Sequence, residues 1–545
     1  MGIKNRQIKQ LSIIIGFVLI NLLIVSVVSK IYYEFNSGAD RARALHIELN
    51  KNDYYLPSIS IKTNNLKGKK VNDEILKKIK KDYLNAWYVK SYALKNNDIE
   101  SFKDFYTDSA QVKLTELISY NIKNKINVAS TSLKHNLEIN FFSEDGQLIF
   151  LKDKNVEEIN NISKNNISIH KEKSINDYDV VLLLEDGFWR IRHLIRTSNK
   201  ELNKNKIKHS NIFKFKIKGI NYYPQKTPWF EFWSKYNKSI VDKDFKIIKN
   251  LKLNTVRIFI PYELFGKANV LEERLRNLKT TLDLAAKNDL KVIITLFDFY
   301  GDYRVSDYNL CDRHIEQVIM NIKNHSALLQ YDIKNEPDLD FKIHSKTKVL
   351  NWLSFIAERI KKYDDKTPVT IGWYSSDQAH LLENEIDVVS YHYYKNPKYF
   401  IKRHKKLKSK TKKPIVVQEY GKHSYNSFWF PFSNTEITQA KYYKEMQQQF
   451  NLVKDINYIS WTLYDFPKIN SSIFGILPHK TSPQKNYGVI DVNSKYKESS
   501  KFLTNSKSNI NYFSLKNINK FILTLILIVF TIAVIFKLKK KKSIQ

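Results

Sequence analysis

Eight short runs rich in β-branched residues alternate with helical stretches over residues 211–503. In the helical stretch 271–288, leucines recur on one face at positions 271, 275, 278 and 282. Eight strand–helix units in line favour a closed (β/α)₈ barrel of the TIM type, in the α/β class, over a doubly wound sheet. The runs occupy residues 213–221, 255–260, 291–298, 329–335, 369–373, 388–392, 414–419 and 458–464.

Two of these runs end in a glutamate, which is an expensive residue to place at the end of a buried strand. Glu336 follows the fourth run, in LLQYDIKNEPDLD, and Glu419 ends the seventh, in KKPIVVQEYGKHS. The carboxyl ends of barrel strands surround one catalytic cleft, so both side chains are expected to point into it. Two carboxylates across a cleft are what glycosidic bond cleavage needs, one to donate a proton and one to attack the anomeric carbon. We therefore predict Glu336 and Glu419 as a catalytic pair of carboxylates.

In these motifs residues 211–500 resemble glycoside hydrolase clan A, in pattern closest to family 5, the cellulase and mannanase family. The resemblance implies that Glu336 is the acid/base and Glu419 the nucleophile, and in this mechanism burial and the Glu419 charge raise the pKa of Glu336. It also implies a hydrolase that needs no metal or cofactor and that contacts its substrate through the matching residues of several strands. One position departs from the family pattern, because Phe297 and Asp298 stand where the third strand often ends in His. That departure leaves another clan A family open. The residues that match the substrate-binding pattern are Arg257, Asn335, His392, Tyr394 and Trp461.

Residues 73–198 predict a separate α+β domain of two helices followed by strands, with a hairpin signal at 185–187. The stretches DYLNAWYVKSYALKNNDIESFKDFY and LEDGFWRIRHL resemble the cone-shaped fold of the nuclear-transport-factor-two-like (NTF2-like) superfamily. We expect a spacer or assembly module, with a homodimer through its sheet as one option. Its apolar sheet face must be covered by its own helices or by a partner, and this face carries Val180, Leu182, Trp189 and Ile191. Residues 31–72 are weakly patterned and are expected to be a linker.

Two apolar segments predict membrane anchors, one at residues 11–29 and the other at 519–538, whose apolar core is 521–536. Basic residues precede the first segment, and four lysines, Lys539 to Lys542, begin the tail 539–545 after the second. The positive-inside rule then places both termini in the cytoplasm and everything between the anchors outside it. The expected location is therefore the cell membrane, with two passes through the lipid bilayer. A cleaved signal peptide is the alternative for residues 1–30.

The net charge of +35 comes from 90 basic and 55 acidic side chains. It fits lysines spread over solvated faces, or a basic surface attracted to anionic lipid or to an acidic polysaccharide. Nucleic acid is not an expected partner, because the basic residues are scattered and no nucleic-acid-binding motif is present. The single cysteine, Cys311, excludes an internal disulfide and a metal site built from cysteines.

Together these features predict a membrane-anchored, retaining glycoside hydrolase, or a transglycosylase, that acts on an extracytoplasmic β-glycan. The alternative is a catalytically lapsed glycan-binding or scaffold protein of a polysaccharide assembly. The sequence leaves the sugar and the linkage open.

Overall fold

The computed structural model describes residues 16–18, 20–25, 27–28, 55–165, 167–201, 215–426, 434–470, 478–510, 529 and 531–532. The chain divides into two compact units. The first comprises residues 1–206, 267–269 and 301–317, and the second comprises 207–266, 270–300 and 318–545.

Within the first unit, the described residues between 55 and 201 form two α-helices and one six-stranded sheet. Helix α1 (Asp73–Asn96) begins where the Asn72 side chain accepts a hydrogen bond from the Ile75 amide at 2.9 Å, and it ends at Asn97 in the left-handed conformation. Helix α2 (Asp108–Asn124) follows. The sheet runs β1-β3-β4-β5-β6, with β2 paired beside β3. Its strands are β1 (Ser58–Lys62), β2 (Lys67–Gly68), β3 (Ile126–Phe142), β4 (Leu148–Lys164), β5 (Ile167–Glu185) and β6 (Phe188–Glu201).

The linker expected at residues 31–72 is wrong for its last part. Strand β1 pairs in parallel with β3 in a register that places Ser58 opposite Lys134. Tyr55, just before β1, is buried in the hydrophobic core. The alternation of Ser-Ile-Ser-Ile-Lys is the period-two pattern of a half-buried strand, although the run is short.

The apolar face of this sheet is covered within the chain. Helix α1 packs on β3 and β6, and α2 packs on the same two strands. The four apolar side chains predicted on this face are fully or almost fully buried, and they are Val180, Leu182, Trp189 and Ile191. A partner chain is therefore not required to cover them, and the homodimer stays a prediction.

The second unit contains a closed barrel of eight parallel strands, which confirms the (β/α)₈ prediction. Neighbouring strands pair in chain order, and β14 pairs with β7 to close the barrel. The strands are β7 (Lys218–Asn221), β8 (Thr255–Pro261), β9 (Lys291–Asp298), β10 (Leu328–Asn335), β11 (Val369–Trp373), β12 (Val389–Tyr393), β13 (Ile415–Tyr420) and β14 (Asn457–Ser460).

Helices separate most of these strands along the chain. The helices after β7 are α3 (Phe230–Ser234), α4 (Lys238–Asn250), α5 (Glu272–Lys287), α6 (Tyr308–Ile322), α7 (Lys346–Tyr363), α8 (Phe400–Lys408), α9 (Glu436–Asn451) and α10 (Pro478–Lys485).

An apolar cluster fills the barrel near the amino ends of its strands. Five strands, or the residues just before them, each contribute one buried side chain, and these are Ile217, Ile293, Val388, Val416 and Ile459. Polar and charged side chains are therefore concentrated towards the carboxyl ends, which is the end where barrel enzymes hold their active sites.

The membrane segments expected from the sequence lie mostly outside the described residues. Residues 16–18, 20–25 and 27–28 of the first segment are helical. Among the residues that the structure describes, no helix has both the length and the apolar character needed to cross a membrane.

Candidate active site

Glu336 follows strand β10 and Glu419 lies within strand β13, and both are at the carboxyl end of the barrel. Glu336 comes directly after β10 in the left-handed conformation, with φ 46° and ψ 47°. Its amide donates a 2.7 Å hydrogen bond to the Gly372 carbonyl of the neighbouring strand β11. Glu419 lies in β13 and is 4% exposed. A left-handed backbone at a residue other than glycine is costly and clusters at functional sites, where the surrounding structure holds it in place.

His392 of β12 lies between the two carboxylates. One ligand atom from each of Glu336, His392 and Glu419 lies within 4.8 Å of the other two. The His392 Nδ1 atom is 2.8 Å from Glu336 Oε1 and 3.5 Å from Glu419 Oε2. Burial lowers the pKa of His392 to about 4, so the imidazole is neutral. A neutral ring with its proton on Nδ1 donates to Glu336 and fixes the position of that carboxyl group.

Arg257 of β8 is fully buried and joins Glu419 to a second carboxylate. Its Nη1 donates to Glu419 Oε1 at 2.6 Å, and its Nη2 donates to Asp332 Oδ2 at 2.7 Å. Arg257 also donates to Asn221 Oδ1 at 3.1 Å and to Asn335 Oδ1 at 2.9 Å. The Arg257 guanidinium therefore holds Glu419 in one orientation.

Tyr394 and Trp461 complete the set of residues expected from the sequence. The Tyr394 hydroxyl donates to Glu419 Oε2, so both oxygens of Glu419 are held. Trp461 packs edge-on against Tyr223 and Phe259. The Arg257 guanidinium lies over the Phe259 ring, 4.4 Å from its centroid. The structure thus brings Arg257, His392 and Tyr394 into contact with the glutamates, and Asn335 into contact with Arg257. It places Trp461 beside Tyr223 and Phe259.

The pKa of Glu336 is raised to about 7, and burial is the cause. The positive charges of Arg257 and Lys334 act in the opposite direction and lower it. The contribution expected from the Glu419 charge is not among the causes. A carboxyl group with this pKa carries a proton for much of the time near neutral pH, as a general acid must.

Asp332 is a site residue that sequence reasoning missed. It is fully buried in β10, and its Oδ2 accepts hydrogen bonds from Arg257 and, at 2.7 Å, from Thr295 Oγ1. A signal was present, because polar residues occur at every second position of the strand, at 330, 332, 334 and 336. That period places a polar row on one face of a strand that is otherwise apolar.

Gly372 of β11 provides the space for this network. A Cβ at position 372 would lie 2.7 Å from Gln418 Oε1, 3.1 Å from Arg257 Nη2 and 3.2 Å from Asp332 Oδ2. Any side chain there would push against the guanidinium that holds Glu419.

Asp298 ends β9 at the place where the family pattern often has His. It is 4% exposed, and burial raises its pKa to about 7. The Tyr223 hydroxyl donates to it at 3.3 Å. A carboxyl group that is partly protonated near neutral pH can donate a hydrogen bond, which gives Asp298 one property in common with a histidine.

The cluster of Glu336, His392 and Glu419 has the residue types and spacing to hold a metal ion. Its surroundings argue against one, because both oxygens of Glu419 already accept hydrogen bonds. The Arg257 guanidinium, 2.6 Å from Glu419, would also repel a cation placed there. The arrangement suits two carboxylates that act directly on a substrate.

The family model for cellulase (glycosyl hydrolase family 5) matches residues 209–467. No curated protein matches the chain. Among solved structures, an exo-β-1,4-mannosidase from Opitutaceae bacterium strain TAV5 is 15% identical, with a TM-score of 0.44, over 53% of this chain and 58% of that one. A GH5_18 protein from Bifidobacterium longum subsp. infantis is 12% identical, with a TM-score of 0.42, over 53% of this chain and 77% of that one. A GH2 β-galacturonidase from Eisenbergiella tayi is 17% identical, with a TM-score of 0.44, over 71% of this chain and 72% of that one.

Proposed function

Residues 209–467 form a domain of glycoside hydrolase family 5, and from this premise we propose that the protein cleaves β-linked glycans with retention of configuration. The observation that carries the proposal is the close pair of carboxylates in different environments. One carboxylate oxygen of Glu336 lies within 4.8 Å of one carboxylate oxygen of Glu419, and this closeness fits the separation of about 5–5.5 Å between the carboxyl groups of retaining enzymes. Inverting enzymes need about 6.5–9.5 Å, to leave room for a water molecule.

The proposed reaction has two displacements. Glu336 first gives its proton to the glycosidic oxygen while Glu419 attacks the anomeric carbon, and the leaving sugar departs. Glu336, now ionised, then takes a proton from water, and that water breaks the bond between Glu419 and the sugar. If another sugar hydroxyl replaces water in the second step, the same residues perform transglycosylation.

The other residues of the site have supporting roles in this scheme. Arg257 and Tyr394 orient Glu419 for attack, and His392 orients Glu336. Asn335 directly precedes Glu336 and accepts a hydrogen bond from Arg257, and we assign it to the sugar 2-hydroxyl. Trp461 is assigned to the face of the reacting sugar.

The alternative is a glycan-binding or scaffold protein that has lost catalysis. A lapsed site has no need to keep a buried Glu419 oriented through both of its oxygens. It also has no need for a second glutamate with a pKa of about 7. These features favour the enzyme.

We expect Glu336→Ala to separate two kinds of substrate. Its turnover of unactivated β-glycosides should fall by about 10²–10⁴-fold, because the leaving sugar no longer receives a proton. Dinitrophenyl β-glycosides should be affected much less in the first step, since that leaving group departs without a proton. Steady-state kinetics on both substrates measures the difference, and equal losses would remove Glu336 from the acid role.

The pH profile should fall on its basic side with an apparent pKa near 7. Glu336 must be protonated to act as the acid, and its pKa of about 7 means that it loses this proton as the pH rises through neutrality. The kcat/KM for an unactivated glycoside should therefore drop about tenfold per pH unit above that value. In Glu336→Gln this limb should be absent, and its persistence there would assign it to another group.

We also propose that residues 11–29 and 519–538 anchor the protein in a membrane, with both termini cytoplasmic and the barrel outside. In the described part of the first segment the helix is apolar, and its side chains are well exposed, including Phe17, Leu23 and Val25. Exposed apolar side chains on a helix are stabilised by lipid and not by water.

Reporter fusions that are active only in the cytoplasm should work at both ends of the chain. The same reporters inserted at residue 208, near the start of the barrel unit, should be inactive. An inactive fusion at the amino terminus, or a mature chain that starts near residue 30, would leave one anchor and support a cleaved signal peptide.

We assign the first unit the role of a spacer or assembly module of NTF2-like type. A homodimer through this unit can be tested by sedimentation of the full chain in detergent, where a monomer at all concentrations would exclude it.

A further inference from the structure

A cavity of about 470 Å³ lies beside the catalytic pair, within the barrel unit. Tyr394 and Tyr487 form part of its wall. Tyr394 donates a hydrogen bond to Glu419, and the Tyr487 ring meets the Tyr394 ring edge-on at 5.9 Å between centroids. The cavity volume lies within the range of about 300–1,000 Å³ for sites that bind small ligands. The cavity is therefore adjacent to the reacting centre and is large enough to bind part of a substrate.

The charged residues of this cavity are mostly positive. Lys395, Lys422 and Lys441 line it, and Glu445 is its one acidic residue. His423 also lines it, and burial together with the nearby lysines lowers the pKa of this residue to about 4, so it adds no charge near neutral pH. Three lysines against one glutamate leave a net charge of +2 at the cavity wall.

The side chains of two of these lysines make no hydrogen bond or ion pair within 4 Å among the described residues. They are Lys395, which is exposed and whose charge helps to lower the pKa of Asp377, and Lys422, which is partly buried. Two other lysines of the barrel unit are paired with carboxylates, Lys497 with Asp465 and Lys361 with Asp387. Positive charges that converge on a cavity and outnumber its acidic residues favour the binding of an anion there.

The remaining wall is suited to a sugar. Asn396, Asn434 and Thr438 present amide and hydroxyl groups that can hydrogen-bond sugar hydroxyls. The tyrosine rings offer apolar surface for the C–H face of a pyranose. The lysines would bind the charged group of such a sugar, because ammonium groups act as point charges towards carboxylate or sulfate oxygens.

We propose that this cavity is a subsite for an anionic sugar, so that the substrate of the enzyme is an acidic β-glycan. The sugar bound here carries a carboxylate or a sulfate and neighbours the sugar attacked by Glu419. This inference rests on the proposed glycosidase function and adds the class of substrate to it.

The test compares neutral oligosaccharides with charged counterparts of the same backbone. The inactive full-length Glu419→Gln protein is titrated with cellotetraose and with mannotetraose. Each is compared with its C6-oxidised (uronate) form and with its 6-O-sulfated form. For at least one backbone, a charged form should bind about tenfold more tightly than the neutral one at about 50 mM salt, and most of this advantage should be lost at about 500 mM. The charged form that binds more tightly identifies the anionic group.

Lysine variants then locate the effect. In the Glu419→Gln background, Lys395→Gln with Lys422→Gln should remove most of the preference for the charged form and leave the affinity for the neutral oligosaccharide within about twofold. The matched control is Lys405→Gln with Lys412→Gln, which removes the same charge from exposed positions outside the cavity. This control should keep the preference.

Two results would overturn the proposal. One is equal affinity for neutral and charged forms of both backbones, and the other is a control pair that lowers the preference as much as the cavity pair. Neither result would mean that the glycosidase function has failed. That function is tested by turnover of neutral aryl β-glycosides by the wild-type protein, which does not depend on the cavity lysines.

Discussion

Glu419→Gln is expected to eliminate measurable turnover of every β-glycoside while the protein stays folded. Glutamine has the same shape, and its amide oxygen can still accept the hydrogen bond from Arg257 Nη1. What it lacks is the negative charge that attacks the anomeric carbon. Because no covalent intermediate forms, activated aryl glycosides should fail as completely as unactivated ones. This sets the variant apart from Glu336→Ala.

Steady-state assays on both substrate types, together with circular dichroism for the fold, measure this result. The matched control is Glu385→Gln, which precedes β12 and so lies towards the opposite end of the barrel, and it should keep wild-type turnover. Residual activity of Glu419→Gln within about tenfold of the wild type, a difference of only about 1.4 kcal/mol in the barrier, would mean that another group is the nucleophile.

Arg257→Met should destabilise the barrel unit more than either glutamate substitution does. The side chain of Arg257 is fully buried between Asp332 and Glu419, whose side chains are 0% and 5% exposed. Removing the cation leaves two buried carboxylates without a positive partner, and breaking such a pair costs about 3–5 kcal/mol. The thermal midpoint of the barrel unit should fall by roughly 10 °C, and activity should be lost because Glu419 is no longer held.

Urea and thermal unfolding of the full chain, followed by tryptophan fluorescence, measure this change. Arg276→Met is the control, because Arg276 is 69% exposed and its partner Glu272 is 90% exposed, and it should change stability by no more than about 0.5 kcal/mol. Arg257→Met combined with Asp332→Leu should recover part of the stability without recovering activity, since one of the two uncompensated charges is removed. If Arg257→Met unfolds like Arg276→Met, the buried network does not carry the stability assigned to it.

Much of the barrel could be predicted from the sequence because its signals are local. Each strand is a short β-branched run, and the third and fifth strands begin and end where the pattern places them, at Lys291–Asp298 and Val369–Trp373. Glu336 and Glu419 were predicted from their place at strand ends, and the five substrate-binding residues from the resemblance to the family pattern. Strand ends of a closed barrel converge whatever the side chains are, so no detailed register was needed.

The parts that could not be predicted depend on neighbours distant in the chain. Asp332 matters because Arg257, 75 positions earlier, reaches it across the barrel. Gly372 matters because of the space it leaves for the same two side chains. In the first unit, strand β5 extends back to Ile167. In this extension Ile167 and Ile169 are exposed while Ser174 and Asn176 are buried, so hydropathy does not mark the buried face. Pairing with β4 determines that part of the strand.

The central claim is that a glycosyl group becomes covalently bound to Glu419. The most direct test is to incubate the wild-type protein with a panel of activated 2-deoxy-2-fluoro β-glycosides, neutral and uronate, which form the intermediate but release it slowly. Mass spectrometry of a digest should then find one sugar on the peptide that contains Glu419, and none in Glu419→Gln. A label on any other residue would contradict this mechanism, as would steady release of product of inverted configuration from the wild type.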